Sequence, residues 1–193
     1  MSDAPHIARS ELILGGQKSG KSRRAELLAR DWLAASTEHQ AVLIATGQPW
    51  DEEMHQRIAR HQHERAGRVP GLRTVEEPLQ LAAAIQAHSR ADTLLVVDCL
   101  TLWLTNWLMP AEPASIPAAG LIEQMTALQQ AIRNMPGPIV LVSNEIGLGV
   151  IPLGAEVRAF VDALGRLNQE VAQTCARVTL MAAGLPLTLK EGA

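Results

Sequence analysis

A glycine-rich segment, GGQKSGKS at residues 15–22, combines residue types whose spacing is typical of a phosphate-binding loop (P-loop). Its glycines allow a tight turn with inward-pointing backbone N–H groups, and the positive end of a following helix also attracts phosphate. Lys21 is expected to reach the β- and γ-phosphate oxygens, and the Ser22 hydroxyl is expected to bind Mg²⁺, which prefers oxygen ligands. We therefore predict nucleoside triphosphate binding by the loop residues Gly15, Gly16, Gln17, Lys18, Ser19, Gly20, Lys21 and Ser22.

A second candidate magnesium ligand is Asp98, which ends the apolar run LLVVD at residues 94–98. A carboxylate at the end of a buried strand can hold the Mg²⁺ shell opposite a P-loop. The alternative is that Asp98 caps the helix that begins near Leu100, since aspartate is a favoured N-cap residue. We favour the metal role, and with it a place for Asp98 in the nucleotide-binding site, because the P-loop supplies the phosphate-binding half.

The segment DEEMHQRIARHQHERAG, residues 51–67, carries three histidines together with several arginines on one predicted helix. His61 and His63 are two residues apart and face away from each other, and His55 is six residues from His61. This spacing does not suit a zinc site. The segment is either a solvated polar face or the carrier of an imidazole nucleophile for a phosphoryl or nucleotidyl group, with arginines neutralising the phosphates. The residues alone leave both interpretations open.

The composition is that of a globular protein without a basic nucleic-acid surface. The 193 residues are 47% hydrophobic and carry a net charge of −3, so we expect no long-range attraction to DNA or RNA. The two cysteines, Cys99 and Cys175, indicate neither a disulfide framework nor a metal cluster. We see no signal peptide and no segment of membrane-spanning length, and therefore expect a cytoplasmic protein. Because no linker interrupts the chain, residues 1–193 are expected to form a single P-loop nucleotide-binding domain.

Short runs rich in Val, Ile and Leu alternate with segments of helical length and period. The predicted strands are residues 11–14, 41–46, 93–98, 138–144 and 178–182, with an edge strand at 185–189. The predicted helices are residues 23–35, 52–65, 79–89, 121–135 and 155–176, and one more begins at Leu100. This order predicts an α/β fold with a mostly parallel sheet flanked by helices. Since parallel strands end at a common edge, the P-loop, Thr46, Asp98 and the turn at residues 143–145 should meet there.

Two segments have simpler interpretations. Residues 110–119 contain three prolines and are predicted to form a surface loop, with a mobile lid as the alternative. Trp103 and Trp107 are four residues apart on one predicted helix, and we expect them to pack in the core or in a subunit contact.

Five segments together carry a resemblance to a known family. They are GGQKSGKSRRAE at 15–26, ATGQPWDEEMHQRIARH at 45–61, VVDCLTLWLTN at 96–106, LVSNEIGLGVIP at 141–152 and RAFVDALGRLNQ at 158–169. In this order they resemble the bifunctional adenosylcobinamide kinase / adenosylcobinamide-phosphate guanylyltransferase of cobalamin biosynthesis. The resemblance extends over about residues 11–190, and the block SNEIGLGVIP is far more specific than a P-loop alone.

The resemblance implies two reactions on a RecA-like P-loop scaffold. In the first, a nucleoside triphosphate phosphorylates the hydroxyl of the aminopropanol arm of adenosylcobinamide. In the second, GTP transfers GMP to an enzyme histidine with loss of pyrophosphate, and adenosylcobinamide phosphate then takes up the GMP to give adenosylcobinamide-GDP. By its position in the matching motif the histidine is His61, with His63 as the rival. The family further implies ATP and GTP as substrates, Mg²⁺ as cofactor and a homotrimer as the assembly.

The matching motifs also imply roles for other residues. Lys21 and the loop amides would stabilise charge on the transferring phosphorus, with Mg²⁺ held by Ser22 and Asp98. Glu145 joins the nucleotide-binding set, where it would orient the acceptor hydroxyl or the metal's water. Its alternative role is to cap a turn, and the two roles stay equally open.

Arg158 and Arg166 match family positions as well. Each is predicted either to bind phosphate or to form a salt bridge on the helix surface. The sequence does not rank ATP against GTP for the kinase step, because a P-loop contacts phosphates and not the base.

Two other functions remain as alternatives. A monofunctional P-loop kinase of another small alcohol would form no covalent nucleotide adduct. A nucleotide-dependent switch protein would hydrolyse slowly and respond to a partner protein, whereas the bifunctional enzyme requires cobinamide for turnover.

Overall fold

The structure, a computed structural model, describes residues 7–49, 52–110 and 120–192, apart from the side chains of Arg57 and His61. In this part of the chain the strands are β1 (Ser10–Gly15), β2 (Gln40–Ala45), β3 (Leu72–Glu76), β4 (Thr93–Asp98), β5 (Ile139–Val142), β6 (Arg177–Ala182) and β7 (Leu185–Glu191). The helices are α1 (Lys21–Ala35), α2 (Glu52–Arg68), α3 (Leu81–His88), α4 (Leu100–Leu108), α5 (Leu121–Asn134) and α6 (Ala155–Thr174). Of the loop predicted at 110–119, residues 111–119 lie outside the described residues.

The strands form one sheet in the order β3-β2-β4-β5-β1-β6-β7. Every neighbouring pair is parallel except β6 and β7, which are antiparallel. The predicted α/β class with a mostly parallel sheet is therefore confirmed, including the edge strand near residues 185–189. Parallel neighbours such as β1 and β5 are far apart in sequence, and the intervening helices cover the faces of the sheet.

Hydrophobic side chains fill the space on both faces of the sheet because successive residues of a strand point to opposite sides. On one face, Leu12 and Leu14 of β1 join a cluster with side chains of α3, α4, α5 and α6. On the other face, Ile13 joins a cluster with Ala25 and Leu28 of α1. Burial on both faces explains why the central strands are continuous apolar runs in the sequence.

The two tryptophans of α4 belong to the core. Trp103 is fully buried and Trp107 nearly so, and their rings meet edge to face with centroids 6.5 Å apart. Both indole N–H groups donate to the Leu79 carbonyl oxygen, at 2.9 and 3.4 Å. Of the two expected locations, the core is therefore the one observed.

Strand β3 is the element that the sequence pattern did not predict. It pairs in parallel with β2 at one end of the sheet, where Ala41 lies opposite Leu72 and Ala45 opposite Glu76. Its sequence, LRTVE, has no continuous apolar run because an end strand is only partly covered. The Pro70–Gly71 pair before it is the turn signal that marks where this strand begins.

The carboxyl ends of the central strands meet at one edge, as predicted. The register sets Asp98 opposite Ala45 of β2 and opposite Val142 of β5, and Val142 opposite Ile13 of β1. The P-loop follows β1 at this same edge and leads directly into α1. Side chains separated by scores of residues in sequence are therefore brought to one place.

Candidate nucleotide-binding site

The P-loop backbone requires glycine at two of its three glycine positions. Gly15 has φ of +150°, and a Cβ there would lie 2.5 Å from the Met181 carbonyl oxygen. Gly20 has φ of +100°, and a Cβ there would lie 3.3 Å from Cα of Gly184. Gly16 has no left-handed φ, and nothing lies within 4 Å of where its Cβ would be. The sequence interpretation assigned the tight turn to all three glycines, whereas the conformation demands glycine at Gly15 and Gly20.

Lys21 is buried at the first position of α1, and its side chain turns back over the loop. Its Nζ donates a hydrogen bond of 2.6 Å to the Gly16 carbonyl oxygen. Gln17 and Lys18 are exposed at the tip, where Lys18 has a left-handed φ of 57°. A cation beside a glycine-rich loop at the beginning of a helix is an arrangement suited to phosphate.

Ser22 and Asp98 meet beside the P-loop. The Ser22 hydroxyl donates to Oδ1 of Asp98 at 3.4 Å, and both groups are partly exposed to a cavity. Helix α4 begins at Leu100 after Cys99, with no side-chain cap hydrogen bond, so the capping alternative for Asp98 is not observed. A hydroxyl and a carboxylate are the hard oxygen donors that Mg²⁺ prefers, so these two residues fit the metal.

Thr46 fixes the backbone that follows Asp98. Its hydroxyl donates to the Cys99 carbonyl oxygen at 2.7 Å and accepts from the Cys99 N–H at 3.0 Å. Asn106 of α4 donates to the Thr46 carbonyl oxygen at 2.7 Å. The Asp98–Cys99 peptide bond is cis. Buried polar groups bonded in this way lock the end of β4, and Asn106 is a supporting residue that the sequence analysis did not single out.

A partly buried cluster of charged side chains adjoins Asp98. Arg65 of α2 lies 3.7 Å from Oδ2 of Asp98 and 3.6 Å from Oε1 of Glu26, while Arg68 pairs with the other oxygen of Glu26. Burial raises the pKa of Glu26, and the guanidinium groups of Arg68 and Arg65 act in the opposite direction. Each of the two carboxylates therefore has at least one arginine beside it, which offsets part of the cost of burying their charge.

Helix α2 borders the same cavity, which has a volume of about 630 Å³. Met54, Ile58 and Arg65 of this helix line the cavity together with the P-loop and Asp98. Position 61 is one helical turn from Ile58 and one from Arg65, so its Cα lies on the cavity face of α2. The side chain of His61 is outside what the structure describes. His55 and His63 are exposed.

The turn after β5 is held by a chain of hydrogen bonds. Ser143 donates to Asn168 at 2.7 Å, Asn168 donates to the Asn144 carbonyl oxygen at 3.0 Å, and the Asn144 N–H donates to Thr101 at 2.9 Å. Ser143 and Asn168 are buried. Because these bonds join β5, α4 and α6, they fix Asn144 at the cavity.

Glu145 belongs to this turn but points elsewhere. Its N–H donates to the Gly15 carbonyl oxygen at 3.1 Å, which ties the turn to the P-loop. Its carboxylate accepts from the Gly147 N–H at 3.0 Å, the capping contact that the sequence left as an alternative. The side chain lines a neighbouring groove of about 980 Å³ rather than the P-loop cavity.

Arg158 and Arg166 line this groove also, and both have partners in the fold. Arg158 donates to the Pro152 carbonyl oxygen at 3.0 Å. Arg166 pairs with Glu170 at 2.9 Å, one turn along α6. For Arg166 the surface salt bridge is therefore the arrangement observed. This larger groove does not include the P-loop, which lines the cavity of about 630 Å³ instead.

Comparison with known proteins decides the family. The family model described as cobinamide kinase / cobinamide phosphate guanyltransferase matches residues 11–189, nearly the whole chain. The chain belongs to this family. The expectation raised by the five sequence segments is confirmed, and membership makes the chain a transferase.

Relatives of this family span almost the same length as the chain. The bifunctional adenosylcobalamin biosynthesis protein CobP of Pseudomonas aeruginosa is 49% identical over 181 residues, covering 93% of this chain and 96% of its own. The CobU proteins of Escherichia coli K12 and Salmonella typhimurium LT2, which carry the same description, are each 33% identical over 187 residues. Each match covers 98% of CobU.

Solved structures resemble the fold of this family member at low sequence identity. The flagellar accessory protein FlaH of Methanocaldococcus jannaschii superposes with a TM-score of 0.53 at 12% identity, covering 96% of this chain and 80% of its own. The PH0250 protein of Pyrococcus horikoshii OT3 gives 0.54 at 8% identity, covering 97% and 89%. These likenesses support the RecA-like P-loop fold and nothing about the reaction. Within the described ranges, no helix is long and apolar enough to cross a membrane.

Proposed function

We propose that the protein phosphorylates the aminopropanol hydroxyl of adenosylcobinamide and then guanylylates the product through His61. The observation that carries this proposal is the cavity shared by the P-loop, Asp98 and the helix that bears His61. A P-loop alone would support any kinase. A histidine-bearing helix on the same cavity, in a chain of this family, supports a nucleotidyl transfer as well.

In the proposed kinase step, the adenosylcobinamide hydroxyl attacks the γ-phosphorus and a nucleoside diphosphate leaves. Lys21, which lies over the loop, and the loop amides would stabilise negative charge on the phosphates. Ser22 and Asp98 would hold Mg²⁺, which shields the phosphate charge when bound. ATP and GTP are the candidate donors, since the P-loop contacts act on phosphates.

In the proposed transfer step, an imidazole nitrogen of His61 attacks the α-phosphorus of GTP. A P–N bond forms, the bond from the α-phosphorus to the bridging oxygen breaks, and pyrophosphate leaves. A phosphate oxygen of adenosylcobinamide phosphate then attacks the same phosphorus, and the P–N bond breaks to release adenosylcobinamide-GDP. Neutral imidazole is a good nucleophile near pH 7, and its protonated form is a good leaving group.

In the experiment, purified protein is incubated with Mg²⁺, ATP, GTP and adenosylcobinamide. Control reactions omit ATP or GTP in turn, and mass spectrometry identifies the corrinoid products. We expect adenosylcobinamide-GDP, with turnover that depends on the corrinoid. Lys21→Met should lower phosphorylation about 100-fold or more. The matched control is Arg30→Met on the same helix, because Arg30 is exposed and pairs with Asp31.

The products separate the alternative functions. A monofunctional kinase stops at adenosylcobinamide phosphate even when GTP is present. A switch protein releases inorganic phosphate at the same rate with and without the corrinoid. Either result contradicts the proposal.

We propose a cytoplasmic homotrimer, as the family resemblance implies. Leu148, Val150, Ile151 and Leu153 are exposed apolar residues after the turn at 143–145, and they support burial against another subunit. Sedimentation velocity should give three times the 20.8 kDa chain mass. A monomer at micromolar concentration would contradict the trimer.

A further inference from the structure

Helix α2 is loosely attached to the rest of the protein. Of its side chains that the structure describes, Arg65 is the buried one, and the others are exposed or half-buried. A polar, 17-residue helix with so little buried surface has few contacts to fix its position. Arg65 is the buried described side chain of α2 and reaches several other elements, whereas Arg68 pairs with α1 alone, through Glu26.

The guanidinium group of Arg65 reaches three other elements. Nε lies 3.6 Å from Glu26 of α1, Nη2 lies 3.7 Å from Asp98 of β4, and Nη1 donates to Thr74 of β3 at 3.4 Å. The side chain is 7% exposed. The guanidinium group is planar and has five donors, so it can contact acceptors in three directions at once. A lysine ammonium on its flexible stem would hold such contacts less rigidly.

Position 65 is one helical turn from position 61, on the same face of α2. Any rotation or sliding of the helix that broke the Arg65 contacts would also move position 61 relative to the P-loop. A displacement of about 1 Å is enough to slow a transfer that depends on close approach.

We propose that Arg65 is a positioning residue for guanylyl transfer, which holds α2 so that His61 stands at the P-loop cavity. This inference rests on the proposed function of His61. It predicts that loss of Arg65 impairs attack on the α-phosphorus while binding of GTP at the P-loop is retained.

Arg68 provides a matched control. It is on the same helix and pairs with the same Glu26, but it is 37% exposed and its other recorded ion pair is with Glu64 of α2 itself. Arg68→Met therefore removes a cation from the same carboxylate without removing a contact to Asp98 or Thr74. Arg65→Met removes all three contacts and keeps an apolar side chain of similar length.

The experiment measures three quantities for wild type, Arg65→Met and Arg68→Met. They are the rate at which α-labelled GTP labels the protein, the Kd for GTP, and amide hydrogen exchange of peptides from α2 and from the central strands. For Arg65→Met we expect labelling at least about tenfold slower at saturating GTP, with Kd changed less than about threefold. Exchange in α2 should be at least about tenfold faster, with the central strands unchanged. Arg68→Met should stay within about threefold of wild type throughout.

Three results would overturn the proposal: wild-type labelling by Arg65→Met, unchanged exchange in α2, or equal effects of the two variants. Faster exchange everywhere would mean that Arg65 supports the whole fold and would overturn it also. If Arg65→Met does not fold, Arg65→Lys takes its place; we expect slower labelling and faster α2 exchange than wild type, and wild-type values would overturn the proposal. If wild type itself takes up no label, the proposed transfer fails, while α2 exchange still decides whether Arg65 holds the helix.

Discussion

Ser22 and Asp98 are 76 residues apart in sequence, yet the Ser22 hydroxyl lies 3.4 Å from the Asp98 carboxylate. The parallel sheet produces this contact, because β1 and β4 are both neighbours of β5 and end at the same edge. The pair provides two oxygen donors of the kind that Mg²⁺ prefers, beside the loop that would hold the phosphates.

Replacing Ser22 with alanine should raise the Mg²⁺ concentration needed for half-maximal nucleotide binding at least about tenfold, because one of the two proposed oxygen ligands is removed. Binding of nucleotide without Mg²⁺ should change little, since the loop amides and Lys21 remain. Fluorescent nucleotide titrations at several Mg²⁺ concentrations measure both. Ser36→Ala, at the far end of α1, is the control; an unchanged Mg²⁺ requirement in Ser22→Ala would remove Ser22 from the metal site.

Adjacent glycines of the P-loop should respond differently to alanine. Gly15→Ala should lower the free energy of unfolding by about 2 kcal/mol or more, because its Cβ would collide with the Met181 carbonyl at 2.5 Å and its φ is +150°. Gly16→Ala should change it by less than about 0.5 kcal/mol, since the space around Gly16 is open. Urea unfolding of both variants provides the comparison, and equal losses would show that the loop conformation described here is wrong.

The sequence predicted the central strands well because each is a buried apolar run between turn residues. Strand β3 was not predicted for the opposite reason. Its sequence, LRTVE, lies at the end of the sheet, contains charged residues and has no continuous apolar run. The P-loop was recognisable from local spacing alone. Arg65 was not, because nothing in the sequence of a polar helix shows that this arginine is buried between Glu26 of α1 and Asp98 of β4.

Glu145 shows a different limit of sequence reasoning. Its place after a strand end predicts a backbone position beside the P-loop, and the Glu145 N–H does bond to the Gly15 carbonyl oxygen. The direction of the side chain depends on the local turn, where the Gly147 N–H provides a partner 3.0 Å away. A motif fixes a backbone location more reliably than it fixes what a side chain contacts.

Asn168 should be needed for stability although no motif marks its role. Asn168→Ala removes the amide that joins Ser143 to the Asn144 carbonyl, and the loss of these buried hydrogen bonds should cost about 2 kcal/mol. Gln169→Ala changes the exposed neighbour on α6 and should cost less than about 0.5 kcal/mol. Urea unfolding at pH 7 measures the two values; similar losses would contradict the support assigned to Asn168.

Alkaline pH should destabilise the protein through Cys175. Burial raises the pKa of the Cys175 thiol from about 9 to about 12, with the Lys190 ammonium opposing the shift. Above pH 9 the unfolded thiol loses its proton while the native thiol keeps it, so stability present below pH 9 is lost as pH rises towards 12. Between pH 9 and 10, wild type should lose about 1 kcal/mol more than Cys175→Ala.

Urea unfolding at both pH values tests this prediction, and parallel losses in the two proteins would contradict the raised pKa. Comparing the two pH values within each protein separates the ionisation from the cavity that Cys175→Ala leaves.

The central claim is that His61 becomes covalently guanylylated. Incubation with Mg²⁺ and GTP labelled at the α-phosphorus should give protein label that is labile to acid and stable to alkali, as expected of a phosphoramidate. His61→Ala should abolish the label, and His63→Ala, the matched change two residues along α2, should retain it. A folded wild-type protein that binds GTP and takes up no label, or a label that survives His61→Ala, would contradict the account.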